Sequence, residues 1–160
     1  MNNAYLQLGT NLGDRKANLN FALSLIKESI GHIEIESSIY ESEPWGFSHE
    51  TTFLNQVINV STVFSSNDLL QKCQEIEKIL GRVKTKQGYE ARIIDIDILF
   101  FNWEIIKTEK LIVPHQHIQD RRFVLLPLSE IAPLFLHPIL KRTITELLGN
   151  CVDKLWVRKV

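Results

Sequence analysis

Nowhere in its 160 residues does this chain carry a run of about 18 apolar residues that could span a bilayer, and Met1-Asn-Asn-Ala-Tyr5 has no basic stretch leading into an apolar core. Neither a membrane span nor a secretory leader is expected, and the chain reads as cytoplasmic. Cysteine is scarce as well. Cys73 and Cys151 stand far apart, without metal-ligand spacing or a second pair, which excludes a disulfide framework and leaves free thiols in a reducing compartment. Spare charge is missing too: 18 basic against 19 acidic side chains leave a formal charge of -1, so nothing global attracts nucleic acid or an anionic membrane. Any basic site must be local. Low-complexity segments and internal repeats are absent. With 44% hydrophobic and 23% charged residues, the chain suits one domain, 1–160, with a substantial core.

The stretch Arg92-Ile-Ile-Asp-Ile-Asp-Ile-Leu-Phe-Phe101 breaks this even composition. Its branched and aromatic residues suit a buried strand, whereas aspartate is depleted from strands and costly to bury unpaired. Residues two apart on a strand share a face, so Asp95 and Asp97 lie side by side with Cα atoms about 6 to 7 Å apart. Two carboxylates that close raise each other's pKa unless a cation neutralises them, so the pair reads either as acids at a solvent-facing strand end or, as the length of the apolar run favours, as an all-oxygen site for a hard ion such as Mg²⁺. Just upstream, Arg82-Val-Lys-Thr-Lys-Gln-Gly-Tyr-Glu-Ala-Arg92 carries basic residues and a glycine without hydrophobic period. It reads as an anion-seeking loop that brings Arg92 close to the carboxylates, a convergence that phosphoryl transfer requires.

The remaining chain reads as a scaffold. Ala4 to Leu8 alternates as a first strand and enters the turn Gly9-Thr-Asn-Leu-Gly-Asp-Arg15, either a structural turn or a phosphate cradle. Leu19, Ala22, Leu23, Ile26 and Ile30 recur at helical spacing, with Gly31 placed for a left-handed cap. Ile33 to Ile39 alternates as a second strand, and Glu41 to Glu50 is an aperiodic loop whose Trp45 and Phe47 serve either binding or packing. Phe53 to Val63 makes a long third strand carrying Asn55 and Asn59. Ser66 is expected to cap a second helix with Leu69, Leu70, Cys73, Ile76 and Leu80 inside, Gln74 and Glu77 off that stripe, and Gly81 as its stop. Asn102 is expected to turn the chain into Trp103–Ile106 as a hairpin partner of the acidic strand. Leu111–His115 follows as an extended piece in which His115 and His117 take either a metal or a phosphate. Pro127 and Pro133 are expected to interrupt a helical region from Arg121, before a last short helix over Thr143–Leu148.

Taken in order, Gly9-Thr-Asn-Leu-Gly13, Pro44-Trp-Gly46, Phe53-Leu-Asn55, Glu77 with Gly81-Arg82, Arg92-x-x-Asp-x-Asp-Ile98, Val113-Pro-His115 and Arg121-x-Phe123 resemble the 6-hydroxymethyl-7,8-dihydropterin pyrophosphokinase family along the whole chain. The resemblance implies transfer of pyrophosphate from ATP to the hydroxymethyl group of a reduced pterin in folate biosynthesis, with release of AMP. It implies two Mg²⁺ ions on Asp95 and Asp97, and phosphate and leaving-group contacts from Arg82, Arg92, His115 and Arg121. The pterin is expected between Phe53 and Phe123, read by Asn55 and by groups around Ser42, Pro44 and Trp45. The ATP side is expected to take in Gln74, Glu77, Lys84, Tyr89, Arg92, Ile98, Ile112, His115 and Arg121. Asp97 is the nearest candidate for a general base. The chain departs from better-known bacterial members at Phe53 for Tyr, Tyr89 for Trp, Glu43 for Pro, Gln116 for Tyr, and Glu90 where Gly is common.

The order of elements predicts an α+β fold, a ferredoxin-like sandwich with a mainly antiparallel sheet and helices on one side, which is also the family's fold. ATP and the pterin are the expected small-molecule partners of a monomer. A two-metal nucleotidyltransferase would also use strand aspartates but would release pyrophosphate. An RNA-binding module of the same architecture would need basic residues beside its sheet aromatics, where this strand offers acids.

Overall fold

The computed structural model describes residues 1–44, 51–84 and 90–160, with 82–84 and 90–92 described by backbone alone. The elements run β1 (Asn2–Thr10), α1 (Arg15–Ser29), β2 (Gly31–Glu36), β3 (Tyr40–Ser42), β4 (Phe53–Thr62), α2 (Ser66–Leu80), β5 (Arg82–Lys84) and β6 (Glu90–Arg92). They continue with β7 (Asp95–Phe101), β8 (Ile106–Lys107), β9 (Ile112–Val113), α3 (Arg122–Ile131), α4 (Ile144–Gly149) and β10 (Val157–Lys159). The main sheet is six-stranded, ordered β10-β3-β4-β1-β7 with β2 also on β4, and every pairing in it is antiparallel.

The alternation of β1 assigns the sheet's two faces. Leu6 and Leu8 point to one side, where they join Leu19 and Ile26 of α1, Leu69 and Ile76 of α2, and Ile96 of β7 in the larger core. On the other side Val57, Leu99 and Phe100 meet Val124, Leu125 and Leu128 of α3 and Ile144 of α4. The fold is the expected antiparallel α+β sandwich, but its helices cover both faces rather than one. Among the described residues no helix covers this second face beyond α3, so polar residues there meet a hollow instead of a core. Among the described residues no helix is long and apolar enough to cross a membrane.

Several local expectations are corrected. Gly31 is not a left-handed helix cap: α1 ends at Ser29 with Ile30 as its cap, and Gly31 opens β2 where an added Cβ would stand 2.0 Å from the Ser61 carbonyl oxygen. Close backbone approach is what requires glycine there. Gly81, by contrast, does close α2 with φ +105. The cap of α2 is Ser65, whose hydroxyl accepts from the Asp68 amide at 3.2 Å, one residue before the expected Ser66. β2 stops at Glu36, short of Ser37 and Ile39. Pro127 lies within α3 without ending it, because Val124, Leu125 and Leu128 on either side are locked into the core. Asn102 does turn the chain, with φ 50, but Trp103–Ile106 does not return along β7; β8 pairs with β9 instead.

Candidate active site

The acidic residues sit on β7, an edge strand, and the register fixes their neighbours. Asp95 lies opposite Gly9 and Asp97 opposite Gln7 on β1, while Gly9 in turn faces Asn55 on β4. Asn55, Gly9 and Asp95 thus form one row across the uncovered face, with Gln7 and Asp97 in the row beside it. The expectation of one strand running from Arg92 through Phe101 is corrected: β6 ends at Arg92, and Ile93-Ile94 separate it from β7. Arg92 pairs instead with Arg82 in a two-stranded hairpin.

The rows floor a first hollow whose walls are Ser42 and Glu43 at the end of β3, Phe53 on β4, and Arg121 and Phe123 at the start of α3. Asn55 is almost wholly buried, and its Nδ2 donates to the Ser42 hydroxyl at 2.8 Å and the Tyr40 carbonyl at 3.2 Å. The Arg121 guanidinium lies 5.7 Å from the Phe123 ring centre. Burial lowers the Arg121 pKa, and nearby Asp97 and Asp120 oppose that shift. Arginine starts so far above neutrality that it remains a cation.

A second hollow opens beyond the free edge of β7, lined by Leu70 of α2, Ile98 of β7, Lys110, Ile112 and His115, with Asp97 again on its wall. A bulge in β7 anchors this side. The register shifts between Tyr5 and Leu6, so Leu99 and Phe100 both enter the core under α3. The Leu99 carbonyl then accepts from the His115 amide at 3.0 Å, holding the imidazole with Nε2 4.0 Å from an Asp97 oxygen. The His117 amide donates to His115 Nδ1 at 3.2 Å, which leaves the ring proton on Nε2, facing Asp97. Burial, then Arg121 and His117, push the His115 pKa down to about 4. The ring is neutral at physiological pH, a hydrogen-bond donor rather than half of an ion pair. A third hollow, sharing Leu70, Glu109 and Lys110 with the second, takes in Gln74.

Of the residues singled out from sequence, Ser42, Phe53, Asn55, Asp95, Asp97, Arg121 and Phe123 meet in the first hollow, and Asp97, Ile98, Ile112 and His115 in the second. Glu77 is not off the buried stripe as expected: it is 4% exposed, accepts from the Ile96 amide at 3.0 Å, and lines none of these hollows. Its carboxylate occupies an amide that the sheet edge would otherwise leave open. Pro44 is half-buried beside Glu43 and outside the lining. Trp45 and Tyr89 fall outside the described residues, as do the side chains of Arg82, Lys84, Glu90 and Arg92. Sequence reasoning passed over Gln7, although an amide alternating with Leu6 and Leu8 on a central strand was a signal.

The donor set suits the implied magnesium. Among the described residues no three His, Cys, Asp or Glu side chains converge on a metal position, and the carboxylate pair is what these residues offer a cation. Mg²⁺ is commonly held that way, by one or two carboxylates with waters and substrate phosphates completing the octahedron. A carboxylate pair beside a guanidinium and an imidazole, with Asp97 on the walls of two hollows, is the equipment of an enzyme that acts on phosphate groups.

The sequence model of 7,8-dihydro-6-hydroxymethylpterin-pyrophosphokinase matches residues 5–133. A 2-amino-4-hydroxy-6-hydroxymethyldihydropteridine pyrophosphokinase of Aquifex aeolicus is 40% identical over 148 residues, covering 91% of this chain and 90% of that one. The folic acid synthesis protein FOL1 of Dictyostelium discoideum is 43% identical over 150 residues, which span 93% of this chain and 22% of that protein. Among solved structures, a Plasmodium falciparum HPPK-DHPS chain superposes with a TM-score of 0.75 at 21% identity, covering 92% of this chain and 45% of its own length. That last likeness bears on the fold alone. The chain belongs to the 7,8-dihydro-6-hydroxymethylpterin-pyrophosphokinase family.

Proposed function

We propose that this chain transfers pyrophosphate from ATP to the hydroxymethyl oxygen of 6-hydroxymethyl-7,8-dihydropterin, giving AMP and the pterin diphosphate in folate biosynthesis. The observation that carries the reading is that Asp97 belongs to the walls of both hollows. The flat pterin enters the first, its rings between Phe53 and Phe123 and its polar edge toward Asn55 and Ser42. ATP takes the second, its base toward Ile98, Ile112 and Gln74 and its phosphates toward Asp97, His115 and Arg121. The hydroxymethyl oxygen then forms a bond to the β-phosphorus while the bridge to the α-phosphate breaks and AMP departs. Charge accumulates on the departing α-phosphate side as that bond fails.

Arg121 offers a fixed guanidinium and His115 a neutral N–H donor, both held before the reaction begins, which is what makes such donors effective. Two Mg²⁺ ions, held by Asp95 and Asp97, would neutralise the triphosphate and polarise its phosphorus centres. A hydroxyl held against a phosphate so polarised needs little help from a base, and Asp97 is the nearest acceptor for its proton. Arg82, Lys84, Tyr89, Trp45 and Arg92 belong to this reading through the family motif, as phosphate contacts and as walls of the closed site. The same reading takes residues 1–160 as one domain, monomeric and cytoplasmic, without nucleic acid as partner.

Incubation with Mg²⁺, ATP and the pterin, followed by chromatography of the nucleotides, tests it. AMP formed only in the presence of pterin supports the transfer. ADP as product, or pyrophosphate released with the nucleotide retained, would sink it and favour a simple kinase or a nucleotidyltransferase.

A further inference from the structure

Gln7 has no part in the reading so far, yet it lies at the centre of the pocket floor. Its side chain is 5% exposed and lines the first hollow, between Asn55 on one side and its register partner Asp97 on the other. The orientation of its amide follows from a chain of hydrogen bonds. Asn55 Nδ2 donates to the Tyr40 carbonyl at 3.2 Å, and a carbonyl can only accept, so Asn55 Oδ1 must face away from Tyr40. That oxygen receives Gln7 Nε2 at 3.3 Å, and the same nitrogen lies 3.3 Å from the Leu8 carbonyl. Flipping Gln7 would set oxygen against oxygen at both contacts. Oε1 is therefore the end left over, and this buried atom has no hydrogen-bond partner among the described residues.

A buried amide oxygen without a donor destabilises the ligand-free protein, and an apolar residue would fill the space without that cost. Gln56 also has an unpartnered Oε1, but its amide nitrogen donates to the Ser37 carbonyl and it lines none of the hollows described. Among the described residues, Gln7 alone combines an unsatisfied acceptor with a place on the wall of a binding hollow. Gly9 beside it keeps that acceptor reachable: its absent Cβ would stand 3.7 Å from Gln7 Nε2 and 3.6 Å from Asn55 Oδ1, so any longer side chain would grow over both amides.

We propose that Gln7 is a second reader of the pterin, its Nε2 fixing the Asn55 amide and its Oε1 accepting a hydrogen bond from an N–H or O–H of the bound substrate. The pairing makes a two-amide recognition strip: Asn55 is oriented from behind by Tyr40 and Ser42, and Gln7 is oriented by Asn55. A ring that lacks a donor over Gln7 leaves Oε1 buried and unpaired, so the strip rejects it. The proposal rests on the pterin occupying the first hollow.

The test measures pterin Kd on the full chain with Mg²⁺ and a non-hydrolysable ATP analogue bound, and KM for pterin and for ATP in turnover with Mg²⁺ and ATP itself; it compares the unaltered protein with Gln7→Met, which keeps side-chain length but can neither donate nor accept strongly. The expected result is a pterin Kd and KM weakened by about tenfold, as for a lost hydrogen bond to a buried partner. The KM for ATP is expected to stay unchanged and the melting temperature to stay or rise. Equal pterin affinity in the two proteins overturns the proposal, as does a loss matched by equal losses in ATP affinity and melting temperature, which would mark Gln7 as structural. A second measurement needs no variant: in ¹⁵N-labelled protein, the Gln7 side-chain amide resonances are expected to shift when pterin joins the nucleotide complex, and their constancy would also overturn it. If the unaltered protein binds no pterin at all, it is the functional reading that fails, and that outcome is distinct from an unaltered protein that binds and a variant that binds equally well.

Discussion

Replacing Asp97 with asparagine keeps the shape of the side chain and removes one negative charge from the wall common to both hollows. The pterin walls, Phe53, Asn55 and Phe123, are untouched, so pterin affinity is expected within about threefold of the unaltered protein. The chemical step is different. Lewis-acid stabilisation of phosphoryl oxygens is worth several kcal/mol, and a neutral amide is a poor ligand for a hard cation. Losing about 4 kcal/mol of it lowers the rate about a thousandfold, at 1.36 kcal/mol per factor of ten. The fold should survive: the carboxylate lies on the wall of an open hollow rather than in either core. Single-turnover measurement of AMP formation, paired with calorimetric titration of pterin into the complex with an ATP analogue, separates the two effects. Turnover within tenfold of the unaltered protein would refute the role given to Asp97, and a collapse of pterin affinity alongside the rate would show that it holds the substrate instead.

Three further outcomes follow from single residues. Phe123→Ala removes one wall of the slot, and loss of stacking and buried area should weaken pterin binding by about 1 to 4 kcal/mol while changing nucleotide affinity less; calorimetry checks both. Gly31→Ala must push β2 off β4, since the new Cβ would lie 2.0 Å from the Ser61 carbonyl oxygen, and a loss of about 2 kcal/mol or more is expected in denaturant unfolding. Glu41 is held below the usual carboxylate range by its hydrogen bond from Arg158, then by Thr52 and Arg15, against the opposing effect of burial. The unfolded chain therefore binds more protons as pH falls, and the stability Glu41 contributes is present above its unfolded pKa and lost as pH drops through the folded one. Glu41→Gln should flatten that part of the acid limb in a series of thermal melts; an unchanged slope would remove Glu41 from the account.

Much of the site was legible because its residues violate their surroundings. Asp95 and Asp97 interrupt a run of isoleucines, a pattern that aspartate rarely joins, and the structure turns both toward an open hollow rather than burying them, while Asn55 interrupts a strand that is buried from Leu54 to Val60. Residues that obey a pattern were harder to place. The amide of Gln7 on a central strand marks a polar position, but its alternation with Leu6 and Leu8 is also that of a solvent-facing residue, and only the extent of α3 decides that this face ends in a hollow. Gly31 follows a helix, where a cap and a close backbone approach leave the same mark, and the strand that settles the matter, β4, lies 30 residues on. Glu77 stands four residues after Cys73 and three before Leu80, on the buried stripe by spacing, and only its charge sets it apart; its partner is the Ile96 backbone amide, and backbone groups at a sheet edge leave no trace in side-chain identity. The β8–β9 pairing, Ile106 with Val113 and Lys107 with Ile112, joins two-residue strands too short to show an alternating pattern.

The most direct test of the account is a structure of the ternary complex with Mg²⁺, a non-hydrolysable ATP analogue and 6-hydroxymethyl-7,8-dihydropterin. It should find the pterin between Phe53 and Phe123 with its hydroxymethyl oxygen aimed along the triphosphate at the β-phosphorus, and the nucleotide beyond β7, with Asp97 on a metal between them. Both ligands on one side of β7, or an Asp97 carboxylate turned away from metal and phosphate, would contradict it.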